Sequence, residues 1–226
     1  QLTLDGKVHQ ITDSKEKEKA LFFQGDDIFY YSAGDNVFTY NLKTKSSQSV
    51  NSKSETLSGL VYSKDKKYMA VSKPVKEEKV LGTDVYTELD KSDAKVYDHL
   101  MYRHWDSWKD GNFDHIFVGT SPETMVDINK GEKYNSEAYS FSPDGKYVVY
   151  QAKKLFGTAD AISTNTDIYL YDIATQKTTN ITPDNKGYDT NPKFSENGEY
   201  LAWLSMKTDG YEADKNDLKI YNFNTG

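Results

Sequence analysis

Short apolar runs recur along the chain, each set off by a polar turn of one type. Val148-Val149-Tyr150, Leu201-Ala202-Trp203-Leu204 and Met69-Ala70-Val71 are three such runs. They are too short for helices, and their flanking turn signals predict buried strands. The preceding turns read Ser142-Pro143-Asp144-Gly145-Lys146-Tyr147, Ser195-Glu196-Asn197-Gly198-Glu199-Tyr200 and Ser63-Lys64-Asp65-Lys66-Lys67-Tyr68. In the first, Pro143 presets φ and Asp144-Gly145 lets the chain reverse at little cost.

Around these marks the pattern divides into similar units. Ala20–Phe23, Asp27–Tyr31, Val37–Leu42 and a weaker Ser47–Val50 predict four strands. Gly25-Asp26 and Gly34-Asp35-Asn36 break them as hairpin turns, and Lys15 to Lys19 reads as a solvated connector. Leu57–Ser63 and Tyr68–Ser72 open the next unit, which resumes at His115–Gly119 and ends at Met125–Asn129. A third unit starts at Ala138–Phe141 and breaks at Lys154 to Thr166; a fourth starts at Asn191–Phe194. Tyr40-Asn41-Leu42, Tyr171-Asp172-Ile173 and Tyr221-Asn222-Phe223 align as third strands. The offsets are 53 residues from Tyr147 to Tyr200 and 50 from Tyr171 to Tyr221.

Four short strands per unit, at roughly 40 to 50 residues, predict an all-β fold of about four four-stranded, WD-like propeller blades. The rival is a β-sandwich, which does not call for one turn phrase opening every unit. The expected bounds are 1–13 for the end of a blade, then 19–51, 56–129 with an insertion at 82–111, 137–184, and an incomplete 190–226. Residues 1–13 are assigned to a blade end because they resemble Ile173 to Asp184; both chain ends are thus expected to fall inside blades, as in a fragment.

Composition narrows the classes. The chain has 226 residues, 14% aromatics with 18 tyrosines, and no cysteine. Aromatic richness suits strands, and the missing cysteine excludes thiol catalysis, thiolate metal sites and disulfides. A net charge of −7, with the acids dispersed, disfavours nucleic acid or an anionic membrane as main partner. No apolar run approaches the roughly 18 residues of a membrane span, and Gln1-Leu2-Thr3-Leu4 does not read as a secretion leader.

The turn phrases resemble the repeats of TolB and of the propellers in prolyl oligopeptidase family peptidases. Tyr97 to Gly111 followed by His115-Ile116-Phe117-Val118 resembles a segment of bacterial dipeptidyl-peptidase 5-type and acylaminoacyl-peptidase-like members. That resemblance implies a propeller preceding a C-terminal α/β-hydrolase domain that carries the Ser, Asp and His triad. No Gly-x-Ser-x-Gly occurs in the chain, so the chain alone is not expected to catalyse by that route. The implied role is gating and positioning of peptide substrate for a serine exopeptidase that removes dipeptides or acylated residues from amino termini. The implied setting is the bacterial periplasm or exterior, with no cofactor, no nucleic acid and no membrane insertion, and with room for a homodimer of the full-length protein. The alternative is a non-enzymatic, TolB-like propeller that binds a protein partner.

Unusual residues gather between Gly82 and Gly111. Arg103 is the one arginine in the chain, and Trp105 and Trp108 are two of 3 tryptophans. Arg103, His104, Trp105, Asp106 and Trp108 are the candidate substrate-binding residues. A guanidinium can pair bidentately with carboxylate or stack on an aromatic ring. Tyr97, Met101, Trp105 and Trp108 could share one face of a short helix. The competing reading is structural: the tryptophans bury the insertion against its blade, and Arg103 bridges to Asp98 or Asp106. Relatives anchor a peptide's amino terminus with a glutamate pair on a propeller insertion. Glu77-Glu78 lies before this insertion, so that role is not carried over.

His99, His104 and His115 match no common metal-ligand spacing and read as structural or surface residues. Asp209 to Asp217 lacks calcium-loop spacing and reads as a solvated loop. Gly119-Thr120-Ser121-Pro122 is a turn, and Asn180-Ile181-Thr182 matches a glycosylation acceptor.

Overall fold

The computed structural model describes residues 6, 8–24, 27–53, 59–121, 124–223 and 225. Residues 1–5 and 7 of the expected blade end at 1–13, the Gly25-Asp26 turn, Leu57 and Pro122 lie outside them. The fold is all-β; among the described residues 45% are strand and 5% helix. The chain forms two compact units, residues 1–61 and 62–226.

In the first unit, β1 (Glu18–Gln24), β2 (Ile28–Ala33), β3 (Asn36–Asn41) and β4 (Ser46–Lys53) form an antiparallel meander. β1 begins inside the stretch expected to be a solvated connector. The reason is local: Glu18 accepts hydrogen bonds from the Thr12 hydroxyl at 2.6 Å and the Ser14 N–H at 3.0 Å, which organises the approach to the strand. Tyr31 stacks on Phe29 of its own strand and on Phe38 across the pair, the cross-strand aromatic packing that stabilises such surfaces.

The second unit begins within the sheet of β5 (Val61–Tyr62), β6 (Met69–Lys76), β9 (Asn112–Gly119) and β10 (Val126–Asp127), ordered β5-β6-β9-β10. Two strands of the insertion, β7 (Arg103–His104) and β8 (Ser107–Trp108), pair only with each other. The next sheet is the meander β11 (Ser136–Phe141), β12 (Tyr147–Ala152), β13 (Asp167–Asp172) and β14 (Lys177–Asn180). β15 (Asp189–Phe194), β16 (Tyr200–Ser205) and β17 (Asp217–Asn222) form the last sheet. Two short helices, α1 (Gly82–Val85) and α2 (Thr158–Ile162), lie in connections.

The repeated turn has one hydrogen-bond pattern. In each copy the serine hydroxyl accepts the N–H of the tyrosine five residues on and donates to the Asp or Asn two residues on. That side chain in turn accepts the next-but-one backbone N–H. Gly145 and Gly198 take φ of 70° and 74°, while Lys66 is forced to 60° at the equivalent place.

The apolar runs are buried in whole or in part: Ala70, Val71 and Leu201 are buried, whereas Met69, Ala202, Trp203 and Leu204 are half-buried. Val148, Val149 and Tyr150 are fully buried, and Val149, Ile168, Leu170 and Leu201 form a core joining the last two sheets. Each such side chain contributes about 1.5–3 kcal/mol by leaving water. His115 is structural: fully buried, its Nδ1 is 2.8 Å from Asp127 Oδ2 and its Nε2 2.8 Å from the Glu132 carbonyl. Asn180-Ile181-Thr182 is also engaged in structure. Asn180 Nδ2 donates to Asp167, and the buried Thr182 hydroxyl accepts the Ile168 N–H.

Candidate functional site

In all three sheets of the second unit the longest connection joins the second strand to the third. These connections are residues 77–111, 153–166 and 206–216. They edge a groove of about 680 Å³. Its walls include His104, Trp108 and Lys109 from the first connection, Lys153 and Asp160 from the second, and Gly210 and Glu212 from the third. Its floor is made by strand ends, including Glu137, Gln151 and Tyr188.

The first connection is fixed at its base by Gly111, whose carbonyl accepts the N–H groups of Glu77 and Glu78 at 3.0 and 3.1 Å. Gly111 has φ of 85°, and a Cβ there would sit 2.2 Å from the Glu78 carbonyl oxygen, so glycine is required. Asp84 of α1 accepts the Val80 and Leu81 N–H groups and a 2.7 Å ion pair from Lys76.

The expected short helix through Tyr97, Met101, Trp105 and Trp108 does not form. The chain makes the β7–β8 hairpin instead, turning at Trp105 with φ of 53°. The hairpin satisfies the aromatic spacing differently: Tyr97, Tyr102 and Trp108 form a three-ring cluster with centroids 5.6 to 6.1 Å apart. Such contacts contribute about 0.5–1.5 kcal/mol each beyond burial. The Tyr97 hydroxyl donates to the Lys109 carbonyl and the Lys109 N–H to the Tyr102 carbonyl, closing the cluster.

Arg103 forms no ion pair with Asp98 or Asp106 among the described residues. Its guanidinium carbon lies 5.2 Å from the Trp108 ring centroid, and its Nε donates to the Trp105 carbonyl at 3.0 Å. Trp105 is 85% exposed at the hairpin tip and so does not bury the insertion. Asp106, beside it, accepts from the Ser107 hydroxyl. Of the five candidates, His104 and Trp108 line the groove, Arg103 backs Trp108, and Trp105 and Asp106 stand at the tip.

A second cavity of about 390 Å³ lies beside the first connection. Glu78 is nearly buried there, with the Lys133 ammonium 3.0 Å and His99 Nε2 3.3 Å from one of its oxygens. The His99 ring packs on Phe156 of the second connection at 4.4 Å. Among the described residues no group of three or more His, Asp or Glu is placed to hold a metal ion.

The site residues that sequence reading passed over are Lys109, Lys153 and Asp160. Asp160 takes Lys109 at 2.9 Å on one carboxylate oxygen and Lys153 at 3.1 Å on the other. Burial raises its proton affinity, but the two ammonium partners outweigh that and hold the carboxyl below the usual range. The third connection is not merely a solvated loop. Asp209 accepts from the Ser163 hydroxyl at 2.6 Å and the Thr164 N–H at 2.9 Å, which ties it to the end of α2. The available signal was positional, because the second interruption falls at the same point of the repeat as the first.

No family model matches the chain. Dipeptidyl-peptidase 5 of Porphyromonas gingivalis is 37% identical over 182 residues, 75% of this chain and 26% of that relative. The chain is thus similar to a segment of dipeptidyl-peptidase 5. The same-named protein of Porphyromonas endodontalis is 36% identical over 170 residues, 70% of this chain and 24% of its own length. The chain therefore spans about a quarter of the length of these relatives. Among solved structures, TolB from Acinetobacter baumannii superposes with a TM-score of 0.56 at 13% identity, over 99% of this chain and 45% of that one. Dipeptidyl peptidase 4 of Porphyromonas gingivalis gives 0.50 at 8% identity, over 94% of this chain and 32% of its own. These two likenesses establish the TolB-type propeller fold. The dipeptidyl-peptidase 5 relatives support a peptidase-associated domain.

Proposed function

We propose that this chain is the substrate-gating and positioning propeller segment of a serine exopeptidase. The parent protein releases dipeptides, or acylated residues, from peptide amino termini in a periplasmic or extracellular setting. Its nucleophile and triad belong to an α/β-hydrolase domain outside this sequence. Among the described residues no helix is long and apolar enough to cross a membrane.

The observation that carries this reading is the groove of about 680 Å³ edged by three equivalent connections. Its volume suits a few residues of extended peptide rather than a folded domain. Arg103 is pre-organised for peptide contact. Stacked on Trp108 and held through Nε, it offers its remaining N–H groups to a peptide carbonyl or carboxylate with little ordering cost.

The test is hydrolysis by the intact protein. Short peptides with a free or acylated amino terminus should lose residues from that end, and folded proteins should resist. Arg103→Ala should lower kcat/KM about tenfold, or about 1.4 kcal/mol. Absence of amino-terminal hydrolysis, or equal attack on folded proteins, overturns the reading. A wild-type rate in Arg103→Ala removes that residue from the site.

A further inference from the structure

The three connections around the groove are joined in series by side chains. Lys109 closes the aromatic hairpin through its backbone, to Tyr102 and from Tyr97, and extends its ammonium to Asp160 of α2. Asp160 is only 17% exposed, and Lys153 at the end of β12 grips it twice, at the carboxylate and at the backbone carbonyl. From the far end of α2, Ser163 and Thr164 reach Asp209 of the third connection, and the Gly210 N–H returns to the Thr164 hydroxyl. A ring contact, His99 tilted against Phe156 at 4.4 Å, also joins the first two connections. A hairpin of two residues per strand that pairs with no sheet has no ladder to orient it. Its position depends on such tethers.

We propose that Asp160 is a positioning residue of the candidate site: through Lys109 it fixes where the hairpin holds Trp108 in the wall of the groove. It touches no substrate in this role. Among the described residues it supplies the carboxylate that joins the hairpin to the neighbouring blade, and the same helix passes the restraint on to the third connection. The proposal rests on the groove being the substrate-facing surface, but the hairpin's position can be measured without any activity.

The experiment is 19F NMR of the intact protein labelled with 5-fluorotryptophan. The resonances of Trp105, Trp108 and Trp203 are assigned by Trp→Phe replacement. In Asp160→Asn the Trp108 resonance should move towards the solvent-exposed position of Trp105, and its H2O/D2O isotope shift should rise about twofold. Trp203, which lies in the last sheet with its indole N–H held by Asp189 of the adjacent strand, should not move. Asp160→Glu should restore most of the wild-type Trp108 signal. An unchanged Trp108 in Asp160→Asn overturns the proposal. Should Asp160→Asn disturb Trp203 as well, Lys109→Met decides, because it leaves the Lys153–Asp160 contact in place. Movement of Trp108 alone then supports the tether, and no movement overturns it. A protein without peptidase activity would defeat the functional reading while leaving this spectroscopic result intact.

Discussion

The hydroxyl of Ser142 accepts the backbone N–H of Tyr147 at 2.9 Å and donates to Asp144 at 2.7 Å. Ser63 with Tyr68 and Ser195 with Tyr200 repeat the relationship at 2.9 and 3.0 Å. One side chain thus satisfies an N–H at the mouth of a tight turn and locks the carboxylate or amide that orders the rest of it. Ser142 is itself buried, so water cannot take over its role. Ser142→Ala should destabilise the second unit by about 1–2 kcal/mol, read as a lower midpoint in urea with unchanged slope.

Lys66 occupies the turn position that is glycine in the two sister turns, at φ of 60°. A lysine pays a left-handed conformational cost there that glycine does not. Lys66→Gly should therefore be neutral or stabilising by up to about 1 kcal/mol, whereas Gly145→Ala should destabilise by about 1 kcal/mol. Thermal unfolding of the pair tests the sign of each change.

At Gly111 the constraint is steric as well as conformational. A methyl group there would clash with the Glu78 carbonyl, and the Glu77 and Glu78 N–H bonds to the Gly111 carbonyl would be disturbed. Gly111→Ala should cost about 2–4 kcal/mol. Amide hydrogen exchange should show the loss first at the ends of β6 and β9.

The Asp160 tether carries a pH signature. Its carboxyl titrates below the ordinary value because Lys109 and Lys153 outweigh burial. A depressed carboxyl contributes stability that is complete above the unfolded pKa of about 3.9 and is lost as pH falls through the folded one. The wild-type advantage over Asp160→Asn should hold at neutral pH and shrink only below about pH 4. Paired unfolding curves at three pH values measure this, and an advantage independent of pH would remove the charge from the explanation.

Arg103 and Trp108 separate stability from function. Replacing Arg103 by Lys keeps the charge but loses the planar face over Trp108. Arg103→Lys should leave the melting temperature within about 2 °C, because surface changes seldom exceed about 0.5 kcal/mol. Peptide hydrolysis by the intact protein should fall towards the Arg103→Ala level.

Much of the fold was legible because blade formation is a local matter. A serine, a turn residue and a tyrosine at fixed spacing form their hydrogen bonds within six residues, and the apolar run that follows must be buried. That is why Ser142–Tyr150 announces a strand without any knowledge of its neighbours. The candidate site was legible only in outline. The crowding of Arg103, Trp105 and Trp108 marked the connection, but the helical spacing of Tyr97, Met101, Trp105 and Trp108 misled. Tyr97, Tyr102 and Trp108 cluster across a hairpin, and no periodicity along the chain encodes a contact made by folding back.

Sequence alone determined the all-β class, the repeating turn and the places where the repeat is interrupted, since these follow from hydrogen bonds and burial within a few residues. Tertiary structure decided that Lys109 and Asp160, 51 residues apart, meet in the wall of a groove. It also decided that Arg103 lies on a ring rather than on a carboxylate. Those outcomes depend on which connections adjacent sheets bring together, and charge pairing at that range has no signature in the order of residues.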